Sequence, residues 1–143
     1  MLMSTQIATL LGEELAGLHI ENPLDIINTS QKGLTKRSLT CIGRILSLNQ
    51  KRLADIGAIS LRTFQRYDDN KKLSPVASET IIQLAEIIKL GLEVFNDRDT
   101  FLKWLKAPNK ALDKKTPIEL LKFRTGCDLV RNLMGQIQHG IIS

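Results

Sequence analysis

The chain has 143 residues and a mass of 16.0 kDa, with 43% hydrophobic, 24% charged and 4% aromatic side chains. That mixture suits a globular core and excludes a disordered, collagen-like or low-complexity chain. Twenty Lys and Arg against fifteen Asp and Glu leave a net charge of +5. No stretch approaches the roughly 18 consecutive apolar residues of a membrane span. The start, Met1-Leu2-Met3-Ser4-Thr5, lacks a signal peptide's basic and apolar regions, so a cytosolic protein is expected.

Taken in order, the segments read as helices. Ile7, Leu10, Leu11, Leu15 and Leu18 recur at helical spacing, with Glu13 and Glu14 off that stripe. Asn22-Pro23 supplies a cap and a Pro at the first helical position, opening a short helix through Ile27. Gly33 interrupts, and Leu39, Ile42, Ile45 and Leu46 mark a third helix from about Thr35. Ser74-Pro75 is a second entry of the cap-plus-Pro kind. The helix after it carries Ile81, Leu84, Ala85, Ile88, Leu92 and Phe95 on one face. Ile87, Leu90 and Val94 add a second strip, which predicts a central, almost fully buried helix. Asn96-Asp97 ends it and caps a short amphipathic turn with Phe101, Trp104 and Leu105, broken at Ala107-Pro108-Asn109. Thr116-Pro117-Ile118-Glu119 reads as a capping box opening a short helix through Leu121. Gly126 is expected to separate that helix from a last one with Val130, Leu133, Met134 and Ile137. No alternating strand pattern and no repeat period is visible, so the predicted fold class is all-α.

The positive charge is localised. Residues 1–30 carry four acidic side chains and no basic one, whereas residues 31–72 carry ten basic against three acidic, or +7. Residues 73–143 are near balance at +2. A phosphate-binding face needs such confinement, although a solvated helical surface gives the same count.

Within the basic segment, Asn49 through Tyr67 carries the pattern of a helix-turn-helix. Asn49 caps a helix in which the small Ala54 lets a second helix cross closely. A three-residue turn follows, and Ser60 caps the next helix, where Phe64 and Tyr67 can anchor inward. Leu53, Ile59 and Phe64 make the small core that sets the two helices at an angle. Arg62, Thr63, Gln65 and Arg66 are left facing outward, side chains suited to base edges in a major groove. Gln50, with the helix dipole behind it, is placed for a phosphate, and Lys51, Arg52 and Ser60 complete the predicted DNA-binding set. One position departs from the pattern. Ala58 stands where the turn favours Gly, with Gly57 just before it, so either Ala58 is strained or the turn shifts by one residue.

Signals for catalysis are missing. His19 and His139 are the only histidines, and Cys41 and Cys127 form no C-x-x-C, so neither metal nor cofactor is expected and both thiols read as free. No nucleophile elbow, Walker loop or dinucleotide fingerprint occurs.

The order of the remaining motifs carries a resemblance. Lys72-Leu73-Ser74-Pro75, the long helix ending Glu93-Val94-Phe95, Trp104-Leu105 and Pro108-Asn109-Lys110-Ala111-Leu112 follow the basic helix-turn-helix. Thr116-Pro117-Ile118-Glu119-Leu120-Leu121, Gly126 and Gly135-Gln136-Ile137-Gln138-His139-Gly140-Ile141 complete the series. From about residue 35 to the end, the chain resembles the Xre/MbcA/ParS antitoxins. The resemblance implies an N-terminal extension over 1–34, a DNA-binding part over 35–73 and a toxin-binding part over 74–143. It further implies operator DNA and a RES-domain, NAD-degrading toxin as partners, homodimerisation, and toxin contacts through Trp104 and the tail His139, Gly140, Ile141, Ile142 and Ser143. Two other readings fit the residues alone: a stand-alone regulator with a helical dimerisation or ligand-binding part, and an RNA-binding or structural helical protein. The last lacks exposed aromatics for stacking on single strands.

Overall fold

A computed structural model describes residues 11–140. Ile7 and Leu10 of the first apolar stripe lie outside the described residues. Among the described residues every regular element is helical, apart from one antiparallel bridge between Thr35 and Lys72. The chain divides into two compact units, Met1–Ala85 and Glu86–Ser143.

The first unit contains α1 (helical over 11–16), α2 (Pro23–Lys32), α3 (Lys36–Leu46), α4 (Gln50–Ile56), α5 (Leu61–Arg66) and the start of α6 (Pro75–Phe95). The α2 helix runs five residues past Ile27, because its polar end has no apolar period to announce it; Gly33 at φ 86° stops it. Leu11, Leu15, Leu39, Ile42, Ile45, Leu46, Phe64 and Ile81 are buried and form the core. Each such side chain contributes roughly 1.5–3 kcal/mol relative to exposure. Gly43 lets α4 approach α3, since a Cβ there would lie 2.7 Å from the Leu53 methyls.

The entry to α3 and the exit from α5 are tied together. Lys36 and Arg37 donate their amides to the carbonyls of Lys71 and Asp69, both at 2.9 Å, and Leu73 donates to Leu34 at 2.8 Å. The bonds from Lys36 and Arg37 satisfy first-turn amides of α3 that have no partner inside the helix. Glu14 joins the same end. Its Oε1 accepts from the Thr35 amide (3.1 Å), the Thr35 hydroxyl (2.8 Å) and the Ser38 hydroxyl. Burial raises the Glu14 pKa, but the bonds from Ser38 and Thr35, with the charge of Lys72, outweigh it and hold the carboxyl below the ordinary glutamate value. A depressed folded pKa means stability that is present above the unfolded value and lost as pH falls through the folded one. In acid unfolding curves, Glu14→Gln should therefore be less stable than the parent at neutral pH and converge with it in acid.

The second unit holds the rest of α6, then α7 (Arg98–Lys106), a 3-10 turn (Lys110–Leu112), α8 (Pro117–Leu120) and α9 (Arg124–Gln138). The α6 helix is less enclosed than its pattern predicts: Ile87 is buried, whereas Leu90, Val94 and Phe95 are half-exposed. Thr116 does not cap α8; its hydroxyl donates to Glu119 Oε2 at 2.9 Å, so the expected box closes only between side chains. Gly126 is not the break between the last helices. It lies inside α9, where a Cβ would stand 1.9 Å from the Leu120 carbonyl oxygen, and the break falls at Leu121–Phe123. Both cysteines are free; burial pushes the Cys127 thiol up to about 11, and it donates to the Leu121 carbonyl at 3.3 Å.

Candidate nucleic-acid interface and C-terminal surface

The helix-turn-helix is built by its caps. Asn49 Oδ1 accepts from the Arg52 amide at 2.9 Å, and Ser60 Oγ accepts from the Thr63 amide at 3.1 Å. Gly57, Ala58 and Ile59 make the intervening turn. Leu53, Ala54 and Phe64 are buried between α4 and α5, whereas Ile59 is only half-buried. Tyr67 is also half-buried rather than an inward anchor: it ends α5, and Lys71 Nζ lies 5.3 Å from its ring centroid.

The outward face carries Arg62, Gln65 and Arg66, all exposed, on the six-residue α5. Thr63 is half-exposed, and its hydroxyl accepts from Ser60 at 2.9 Å, so both hydroxyls are engaged within the cap. Gln50 and Gln65 are brought together: Gln65 Nε2 donates to Gln50 Oε1 at 3.0 Å, linking the start of α4 to α5. Lys51 is exposed and pairs with Asp55 at 3.2 Å, a contact worth at most about 1 kcal/mol at such a surface. Arg52 is half-buried.

Lys36 has a role that composition conceals. It counts toward the basic segment, yet its Nζ donates to the carbonyls of Phe64 (2.7 Å) and Tyr67 (2.9 Å) and sits 4.5 Å from the Phe64 ring centroid. A cation at the C-terminal carbonyls of α5 opposes the helix dipole's negative end and holds that helix in place. Its helical position predicts no such partner, because the carbonyls it reaches lie 28 and 31 residues further on.

The turn does not shift. Gly57 is right-handed at φ −72°, and Ala58 itself takes φ 58°. A left-handed Cβ residue costs roughly 1–2 kcal/mol, and a Gly loses about 0.4–1 kcal/mol more in chain entropy on folding. Ala58→Gly should thus stabilise the protein by about 0.5–1 kcal/mol, read as a higher denaturant midpoint; a lower one would contradict the strain.

In the second unit, Trp104 is half-buried with its ring 5.4 Å from that of Phe95, which lies 6.0 Å from Phe101. Phe101 is buried over Gly91, whose missing Cβ would stand 2.2 Å from the ring. His139 and Gly140 are exposed at the end of α9, with Gly140 at φ 74°. Ile141, Ile142 and Ser143 lie outside the described residues. The sequence pattern does not single out Phe123 and Leu129, which are 56% and 48% exposed; Phe123 lies outside the periodic series, and Leu129 immediately precedes its Val130. Among the described residues, no group of three His, Cys, Asp or Glu side chains is placed to hold a metal ion, and no helix is long and apolar enough to cross a membrane.

A helix-turn-helix with an exposed basic face, followed by a separate helical unit, defines the class: a helix-turn-helix protein with an appended helical domain. Residues 25–86 match the family model described as the antitoxin Xre-like helix-turn-helix domain. Residues 90–140 match the antitoxin Xre/MbcA/ParS C-terminal toxin-binding domain. The chain belongs to the Xre/MbcA/ParS antitoxin family. It is 32% identical over 90 residues to Antitoxin Xre of Photorhabdus laumondii, covering 62% of this chain and 61% of that one. It is 28% identical over 80 residues to Antitoxin Xre of Yersinia enterocolitica, covering 55% and 54%. The chain thus spans between about half and three fifths of these relatives' length. The Prs ADP-ribosylating antitoxin of a Sphingobium species is 29% identical over 135 residues, covering 86% and 84%. A chain in the crystal structure of the M. tuberculosis MbcT-MbcA toxin-antitoxin complex shares the fold, with a TM-score of 0.51, 19% identity, and coverage of 76% of this chain and 96% of that one.

Proposed function

We propose that this protein is the antitoxin of a type II toxin-antitoxin pair, a repressor of its own operon and a neutralising partner of a RES-type, NAD-degrading toxin. The observation that carries the reading is the pairing of two units in one chain. One is a capped helix-turn-helix with Arg62, Gln65 and Arg66 exposed; the other matches a toxin-binding domain. In this reading α5 enters the major groove, while Gln50, Lys51, Arg52, Ser60 and Thr63 serve the phosphate backbone and the helix cap. Repression as a homodimer places two such helices on successive half-sites. Toxin contact falls to the second unit, with Trp104 on its surface and the tail from His139 to Ser143 entering the cleft that accepts NAD. Gly140 at φ 74° suits a close backbone approach there. The names of the relatives support an antitoxin; the RES identity of the toxin rests on the motif series.

The test is co-expression with the neighbouring reading frame. The full chain should relieve growth arrest caused by that protein. A chain ending at Gln138 should still co-purify with it but restore much of its NAD consumption, because a short plug contributes less binding energy than the helical surface. Failure of the full chain to relieve arrest would overturn the antitoxin reading. Full inhibition by the shortened chain would place neutralisation on the helices instead.

A further inference from the structure

The second unit carries surfaces of two chemistries. Phe123, just before α9, and Leu129, within it, are exposed apolar side chains. Between residues 103 and 115 lie Lys103, Lys106, Lys110, Lys114 and Lys115, all exposed, against the single acid Asp113. That is +4 over thirteen residues, hidden in the total for 73–143 because the acids of α6 and of residues 97–99 offset it.

The backbone gathers these lysines. Lys103 and Lys106 share a face of α7, one turn apart. The chain then closes on itself: Asn109 donates its amide to the Lys115 carbonyl at 3.0 Å and accepts from the Lys114 amide at 2.9 Å, while its side chain accepts from Ala111. Leu112 is buried and anchors the turn. Lys110, Lys114 and Lys115 are thus held on one short loop that begins three residues after Lys106. Asp113 and Lys114 are consecutive left-handed residues at φ 56° and 66°. Lys has no short polar group to ease that conformation, so the loop keeps an unfavourable backbone in a fixed shape.

The chemistry of the patch selects its partner. Protein interfaces are depleted in Lys and enriched in Arg and aromatic residues. No exposed large apolar side chain lies among these lysines, and Trp104 packs against Phe95. Compact, flexible ammonium groups without base-reading side chains suit phosphates approached without regard to sequence. We propose that this lysine turn is a second nucleic-acid surface, which grips the DNA backbone independently of sequence in addition to the contacts of α4 and α5. The proposal rests on the DNA-binding reading of the first unit.

The test measures affinity of the full chain for a random-sequence DNA duplex several helical turns long, across a salt series. The variant K103Q/K106Q/K110Q/K114Q/K115Q should show a log–log salt slope shallower by roughly 0.9 per lysine in contact, about 4.5 when all five engage. The corresponding five Lys→Arg changes should keep the parent slope. K89Q/K122Q, which removes charge from the same unit outside the turn, should leave the slope in place. A parent slope in the quintuple Gln variant overturns this proposal alone, and does so whether or not toxin capture is also lost. An equal loss per residue in K89Q/K122Q assigns the effect to net charge and overturns it too. Should the parent chain bind no duplex, the DNA reading of the first unit falls with it.

Discussion

Replacing Arg62 and Arg66 together with Ala is expected to remove recognition of the operator by the full chain. Both side chains are exposed on α5, whose orientation is set by the buried Phe64, the Ser60 cap and the Lys36 tether to its last carbonyls. An Arg that reads a guanine edge bidentately is worth roughly 1–3 kcal/mol, so the pair should cost about 2–6 kcal/mol if the two act independently. The loss should be specific, reducing affinity for the operon's upstream DNA toward that for random sequence. Lys51→Ala should instead weaken both alike and flatten the salt slope by about 0.9. Titration of both duplexes separates these outcomes, and operator affinity unchanged in the double variant would remove α5 from the recognition role.

Gly126→Ala should damage the second unit more than any surface change. A Cβ at this position would meet the Leu120 carbonyl oxygen at 1.9 Å and the Leu120 Cβ at 3.0 Å. Backbone cannot rotate away as a side-chain tip can, so α8 and α9 must separate. Leu121 and Cys127 are both buried there, and the hydrogen bond from the Cys127 thiol to the Leu121 carbonyl would open with them. Overpacking a core costs roughly 1–3 kcal/mol, and a clash with main chain belongs at or beyond the upper end. The expected result is a fall in denaturant midpoint equivalent to about 3 kcal/mol or more. Gly135→Ala is the control on the same helix, because nothing lies within 4 Å of a Cβ there. Equal stability of the two variants would contradict the close α8–α9 approach.

Much of the fold was legible because its signals are local. Asn49, Ser60, Ser74 and Asp97 cap amides only three residues away, so these four helix starts are written in short stretches of chain. The all-α class, the helix-turn-helix between Asn49 and Tyr67 and the +7 charge of residues 31–72 follow from the same short-range patterns and from counting.

Tertiary structure alone decided which of those residues stay available. Glu14, off the apolar stripe of α1, binds Thr35 and Ser38 across 21 and 24 residues, and its role depends on a helix it does not belong to. Lys36 counts as one more charge of the basic segment until the fold brings the carbonyls of Phe64 and Tyr67 to its ammonium group. Gly126 reads as a helix break by propensity, yet it sits inside α9, where the approach of Leu120 leaves no room for a side chain. The strain at Ala58 and the closure of the lysine loop on Asn109 are of the same kind. Propensity and periodicity report a residue's neighbours along the chain. What a carboxylate, an ammonium group or a missing Cβ does is set by atoms that arrive from elsewhere in sequence, and only packing brings them together.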